Sequence, residues 1–157
     1  MNYFVNNREV IKDLAINTGT TQTPEYSNLC ITSEVSFNTD FESTDFYVFC
    51  DAIKRNLITG VGLSLDTTCK LDINNAAVQD LLARIHTLLT SGTVAQFNNV
   101  EIKFSLLTDI NDNVLTYTTY TANATLDFSD LGGAAEEEGE FSLNIAINGK
   151  CTETTSM

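Results

Sequence analysis

The chain has 157 residues, 43% of them hydrophobic and 18% charged, with 21 acidic side chains against eight basic ones and a net charge of −13. That length suits one domain able to bury roughly 68–70% of its unfolded surface, and the composition is too apolar for disorder. The excess of acid argues against nucleic-acid binding through Lys and Arg and against attachment to an anionic membrane surface.

Met1–Val10 has neither the basic n-region nor the apolar h-region of a signal peptide, so synthesis and assembly in a cytoplasm are expected. No apolar run approaches the roughly 18 residues of a membrane span. Residues 1–28 are polar and read as an irregular N-terminal arm. Asn17–Asn28 is rich in Thr and holds the only proline, Pro24.

Strand signals follow. Leu29, Ile31, Val35 and Phe37 alternate with Cys30, Thr32, Glu34 and Ser36, the period of a sheet with one buried face. Residues 38–56 read as an inter-strand loop: an acidic stretch with Asp40, Glu42 and Asp45, a short apolar run at Phe46–Cys50, then Asp51–Asn56. Alternation resumes over Leu57–Leu65, interrupted by Gly60 and Gly62. A helix is expected over residues 75–91. Val78, Leu81, Leu82, Ile85, Leu88 and Leu89 form one apolar stripe, Asn74 or Asn75 can cap its start, and Gly92 can end it. Three further alternating runs contain Val100–Leu106, Tyr120–Phe128 and Phe141–Ile147. Asp109–Asn113 has the composition of a hairpin turn into Val114–Thr118. Six or seven strands with one helix predict a mainly β fold, an antiparallel sandwich or barrel in a single domain.

Candidate chemistry is thin. Asp109-Ile110-Asn111-Asp112-Asn113 opens like a calcium loop, but Val114 and Tyr120 stand where the motif needs Gly and a bidentate Glu. Glu136, Glu137, Glu138 and Glu140 lie in a Gly-rich loop, where solvation is expected rather than the burial a catalytic acid needs. His86 is the only histidine and flanks the helix stripe. Cys30, Cys50, Cys69 and Cys151 are scattered without a C-x-x-C pair, which predicts free thiols and no zinc site. The sequon at Asn123-Ala124-Thr125 has meaning only in a secreted protein. No cofactor, metal or catalytic residue is expected, and the enzyme reading is poor. A monomeric carbohydrate- or receptor-binding sandwich on a virion remains as an alternative, although the chain has no Trp to serve as a sugar platform.

The order of these segments resembles the major tail tube proteins of long-tailed bacteriophages, the siphophage type in particular. The resemblance is carried by Ile11-Lys12-Asp13-Leu14 and the arm to Pro24-Glu25-Tyr26. It continues through Ile31–Phe37, Asp51-Ala52-Ile53-Lys54-Arg55, Thr59-Gly60, the single helix, the acidic Gly-Gly loop and the terminal strand to Asn148-Gly149. It implies a structural subunit of a virion tail, assembled in the host cytoplasm from six-membered rings that stack into a tube around a tape-measure protein. Tail terminator and distal tail proteins would be further partners, with genomic DNA passing through without specific binding. It implies sheets joined edge to edge between copies, and a negatively charged lumen. Candidate lumen residues are Glu34, Glu101, Asp127 and Glu140. Candidate contacts between subunits or rings, drawn from the arm and the inter-strand loop, are Pro24, Tyr26, Asp40, Glu42, Asp45, Lys54 and Arg55.

Overall fold

Period-two alternation sets the architecture. The computed structural model describes residues 4–20, 22–29, 32–48 and 51–154. Its seven strands are β1 (Ile11–Asn17), β2 (Tyr26–Asn28), β3 (Thr32–Val48), β4 (Asp51–Lys70), β5 (Val100–Asn111), β6 (Val114–Gly132) and β7 (Glu140–Thr154). All join one antiparallel sheet in the order β2-β1-β5-β6-β7-β4-β3, and one helix, α1 (Ala76–Ser91), lies between β4 and β5 in the chain. The fold is mainly β with a single helix, as the alternation predicts.

One side of every central strand feeds a single core. Ile102 and Phe104 of β5, Ala124 and Leu126 of β6, Phe141, Leu143 and Ile145 of β7, and Leu65 and Cys69 of β4 are all buried. Leu14 and Ile16 of β1 and Ala77, Val78 and Leu81 of α1 join the same cluster, so the sheet curls about one core that the helix helps to cover. Each large side chain fully buried there contributes about 1.5–3 kcal/mol. Phe128 stacks on Phe141 with ring centroids 4.7 Å apart.

The helix begins where the sequence suggests. The Asn75 carboxamide oxygen accepts from the Ala77 and Val78 amides at 2.9 and 3.2 Å, and its NH2 donates to the Asn28 carbonyl at 3.0 Å. The cap therefore also ties α1 to the end of β2. Gly92, at φ 70°, ends the helix in the left-handed conformation. The buried stripe is narrower than its six apolar residues imply. Val78 and Leu81 are buried and Ile85 and Leu88 are partly buried, whereas Leu82 and Leu89 are exposed.

Two segments read as irregular are strands. Within the expected arm of residues 1–28, Ile11–Asn17 pairs with β5 and buries Leu14, Ala15 and Ile16. Its alternation is broken because the register shifts between Lys12 and Ala15, where Asp13 takes a φ of 55°. Leu14 and Ile16 join the core while Ala15 is buried opposite Lys103 on the other face, so no period of two is visible in the burial. Residues 18–20 and 22–25 are irregular, and Asn17 Oδ1 accepts from the Gly19 and Glu25 amides at 2.9 and 3.0 Å. In the expected loop of residues 38–56, residues 49 and 50 lie outside the described residues, and residues 38–48 and 51–56 instead form the outer part of the β3–β4 pair. Its acidic and hydroxyl side chains alternate poorly, but the backbone ladder is satisfied across the pair.

Candidate functional site

Because successive strand side chains point to opposite faces, every strand that feeds the core also presents a second row outward. Ser36, Asp66, Asn144 and Asp127 lie side by side in register across β3, β4, β7 and β6. Asn38 donates to one oxygen of Asp66 at 2.7 Å, and Asn144 donates to the other. A second row runs through Glu101, Asn123 and Asn148, where Asn148 donates to Thr125 at 2.9 Å. Glu101 Oε2 accepts from the Tyr26 hydroxyl at 3.2 Å and from Asn17 at 3.3 Å. Burial, reinforced by the Glu101 carboxylate, raises the Tyr26 phenol above its ordinary pKa. Glu34, Glu101, Asp127 and Glu140, identified from sequence as lumen candidates, all fall on this one polar face.

The face is polar more than it is charged, since hydroxyls and carboxamides such as Ser64, Thr68, Asn123 and Ser142 fill most of it. Its cations on the regularly paired stretches are Lys12, Lys70 and Lys103; Lys12 is in register with Ser105, and its Nζ lies 4.3 Å from the centre of the Tyr117 ring. Lys70 Nζ meets Glu140 Oε2 at 2.8 Å, and Lys103 Nζ lies 5.5 Å from the centre of the Tyr26 ring. The hydrogen bond and charge of Glu140, with smaller contributions from Glu138 and Glu137, raise the Lys70 pKa.

The second feature is the outer β3–β4 ribbon. β4 pairs with β7 only from Leu63 to Lys70, so residues 51–62 have β3 as their sole strand partner among the described residues. Phe41 and Val61 form a cross-strand pair on the side that continues the core, and each is about half exposed, at 56% and 49%. Ile53, Leu57 and Ile58 are also exposed. Two-stranded ribbons are marginal in water, and an open strand edge is a template for another chain. Asp40, Glu42, Asp45, Lys54 and Arg55 are all on this ribbon, where Lys54 and Asn56 reach Asp45 at 2.7 and 2.9 Å. Pro24 and Tyr26 are brought to the opposite edge of the sheet, by β2 and the loop before it.

Other candidates are placed plainly. Asp112 and Asn113, at φ 48° and 66°, make the two-residue turn closing Asn111 on Val114, a hairpin geometry. Glu136, Glu137 and Glu138 are exposed in the loop before β7, and His86 is exposed on α1. Among the described residues no three His, Cys, Asp or Glu side chains gather as metal ligands. Cys69 is a free, buried thiol pushed up to about 11 by burial, and Cys151 is free and half-buried; Cys30 and Cys50 lie outside the described residues. A cleft of about 560 Å³ opens between the β1 and β3 edges, lined by Arg8, Lys12, Asp13, Leu14 and Glu34 among others. Sequence reading missed the anchoring of Glu101 by Asn17 and Tyr26, which lie 84 and 75 positions away. It also missed the Lys70–Glu140 pair, which only the strand register brings together.

No protein-family model matches the chain, and no curated protein matches it in sequence. Solved structures do match in fold. A chain of the native gene transfer agent virion superposes with a TM-score of 0.54 at 15% identity, over 91% of this chain and 96% of that one. The SPP1 tail tube gives 0.56 at 13% identity, over 95% and 78%. A chain of the sheath–tube complex of an extracellular contractile injection system, PVC, gives 0.55 at 11% identity, over 94% and 90%. The fold is therefore the tail-tube fold. The structures that share it come from the tails and tubes of phages, gene transfer agents and contractile injection systems.

Proposed function

We propose that this chain is a structural subunit of a bacteriophage tail tube, assembling as stacked six-membered rings around a lumen that delivers DNA to the host. The observation that carries the reading is the outer β3–β4 ribbon, with its open edge and exposed Phe41 and Val61, on a chain of tail-tube fold. Such a ribbon is completed by neighbouring copies. A six-fold arrangement is favoured by the match, at 13% identity and a TM-score of 0.52, to a chain from the tail of an empty gene transfer agent particle with C6 symmetry.

In this reading, sheets of adjacent copies join edge to edge, and closure satisfies backbone groups that a lone subunit leaves open. The polar face, with Glu34, Glu101, Asp127 and Glu140, lines the lumen. The ribbon residues Asp40, Glu42, Asp45, Lys54 and Arg55, and Pro24 and Tyr26 at the other edge, meet neighbouring subunits or rings. Other partners are the tape-measure, terminator and distal tail proteins, and assembly takes place in the host cytoplasm. The role is structural, with no cofactor and no catalytic step. Purified protein should polymerise with rising concentration into hollow rods visible by negative-stain microscopy. A chain that stays monomeric at high concentration contradicts the reading.

A further inference from the structure

The polar face carries so few cations that the handling of each is informative. Lys70 and Glu140 are direct register partners at the end of the β4–β7 ladder. The contact is built in by the backbone: the Leu71 amide donates to the Gly139 carbonyl at 2.8 Å, one step beyond the pair. A Cβ at Gly139 would lie 2.7 Å from Leu71 Cδ1, the movable end of that side chain, which shows how closely the acidic loop approaches the end of β4. Folding stability does not explain the pair. Its side chains are 43% and 45% exposed, and ion pairs so exposed contribute little. Lys103 is treated similarly, its ammonium over the Tyr26 ring while Glu101 lies two residues before it on the same face.

An uncovered lysine on such a wall would bind a passing phosphate backbone by releasing counterions. Repetition around a ring would multiply that attraction. We propose that Glu140 is a cation-masking residue: by holding Lys70, it keeps that ammonium from serving as a point on the polar face to which a polyanion could adsorb. Glu137 and Glu138 lend their charge to the same lysine. The inference rests on the reading that this face lines the channel. It goes beyond that reading in assigning non-adsorption to the covering of one lysine rather than to net negative charge.

The test compares three variants polymerised into rods and mixed with a short labelled duplex DNA. Glu140→Gln uncovers Lys70. Asp127→Asn makes the same change in charge on the same face and uncovers no cation. Glu140→Gln with Lys70→Gln removes the lysine as well. Glu140→Gln rods should cosediment with about tenfold more DNA than wild type at low salt, falling steeply between about 50 and 200 mM salt as phosphate contacts require. Asp127→Asn and the double variant should match wild type, and cryo-electron microscopy should place the retained DNA inside the channel. Equal retention by Glu140→Gln and Asp127→Asn, retention that persists in the double variant, or DNA bound only outside the rod would overturn the proposal. Failure of the wild-type chain to form hollow rods would instead overturn the tail-tube reading beneath it.

Discussion

The β3–β4 hairpin is two regions made of one ladder. Near the helix end, Leu65 and Cys69 of β4 are buried beneath β7 neighbours and α1. Farther out the same two strands continue without interruption of their pairing except at bulges, yet Phe41 and Val61 are half exposed. The inner part completes itself within the chain. The outer part alternates poorly and, among the described residues, has no third strand or helix to receive it. Backbone pairing makes a strand of both; what differs is that the inner part has a third strand, β7, beside it and the outer part has only β3. One hairpin is thus packed in its inner half and exposed in its outer half.

That contrast can be broken at either end. Leu81→Asp would place an unpaired charge in the inner core, where Leu81 is fully buried, and should abolish the cooperative thermal transition seen by circular dichroism. Phe41→Asp, in the outer ribbon, should leave thermal stability within about 0.5 kcal/mol of wild type, the usual range for surface changes, while abolishing rods. Equal damage to folding from both substitutions would erase the distinction.

The buried half also has a pH signature. Cys69 titrates at about 11 in the folded chain and at an ordinary 9.0 when unfolded. Its neutral form is therefore favoured by folding, and that contribution is fully present below about pH 9 and is lost as pH rises toward 11. The loss should reach about 2–3 kcal/mol, measured by urea denaturation across that range, and Cys69→Ala should remove this part of the slope. Tyr26, raised in the same direction, adds to the decline from about pH 10 upward. The smallest expected effect is at the helix start. Asn75→Ala removes the cap and the tie to Asn28 and should cost about 1 kcal/mol without affecting rod formation.

Legibility followed periodicity. Val100–Leu106 and Phe141–Ile147 alternate cleanly, and β5 and β7 lie where the pattern puts them. A turn within Asp109–Asn113 and a cap at Asn74 or Asn75 were visible from residue type; the structure narrows them to Asp112–Asn113 and Asn75, with Asp109–Asn111 in β5. β1 was not, because a left-handed Asp13 and the bulge beside it break the alternation and Leu14, Ala15 and Ile16 are all buried, on two different faces. The outer ribbon was not, because Asp40, Glu42 and Asp45 look like a loop when their stabilising pairs are cross-strand. For the candidate site, alternation named Glu34, Glu101, Asp127 and Glu140 but expected some of them on the outside; strand register puts them on one face, and what holds them was not legible. Asp66 between Asn38 and Asn144, Glu101 between Asn17 and Tyr26, and Lys70 against Glu140 all join residues distant in sequence, and nothing local announces them.

Cryo-electron microscopy of rods grown from the wild-type chain tests the central claim most directly. The account predicts a hollow six-fold tube with Asp66 and Asp127 on the inner wall and the Phe41–Val61 ribbon buried against a neighbouring copy. A particle that remains a single subunit at every concentration, or a tube whose inner wall is formed by α1, would contradict it.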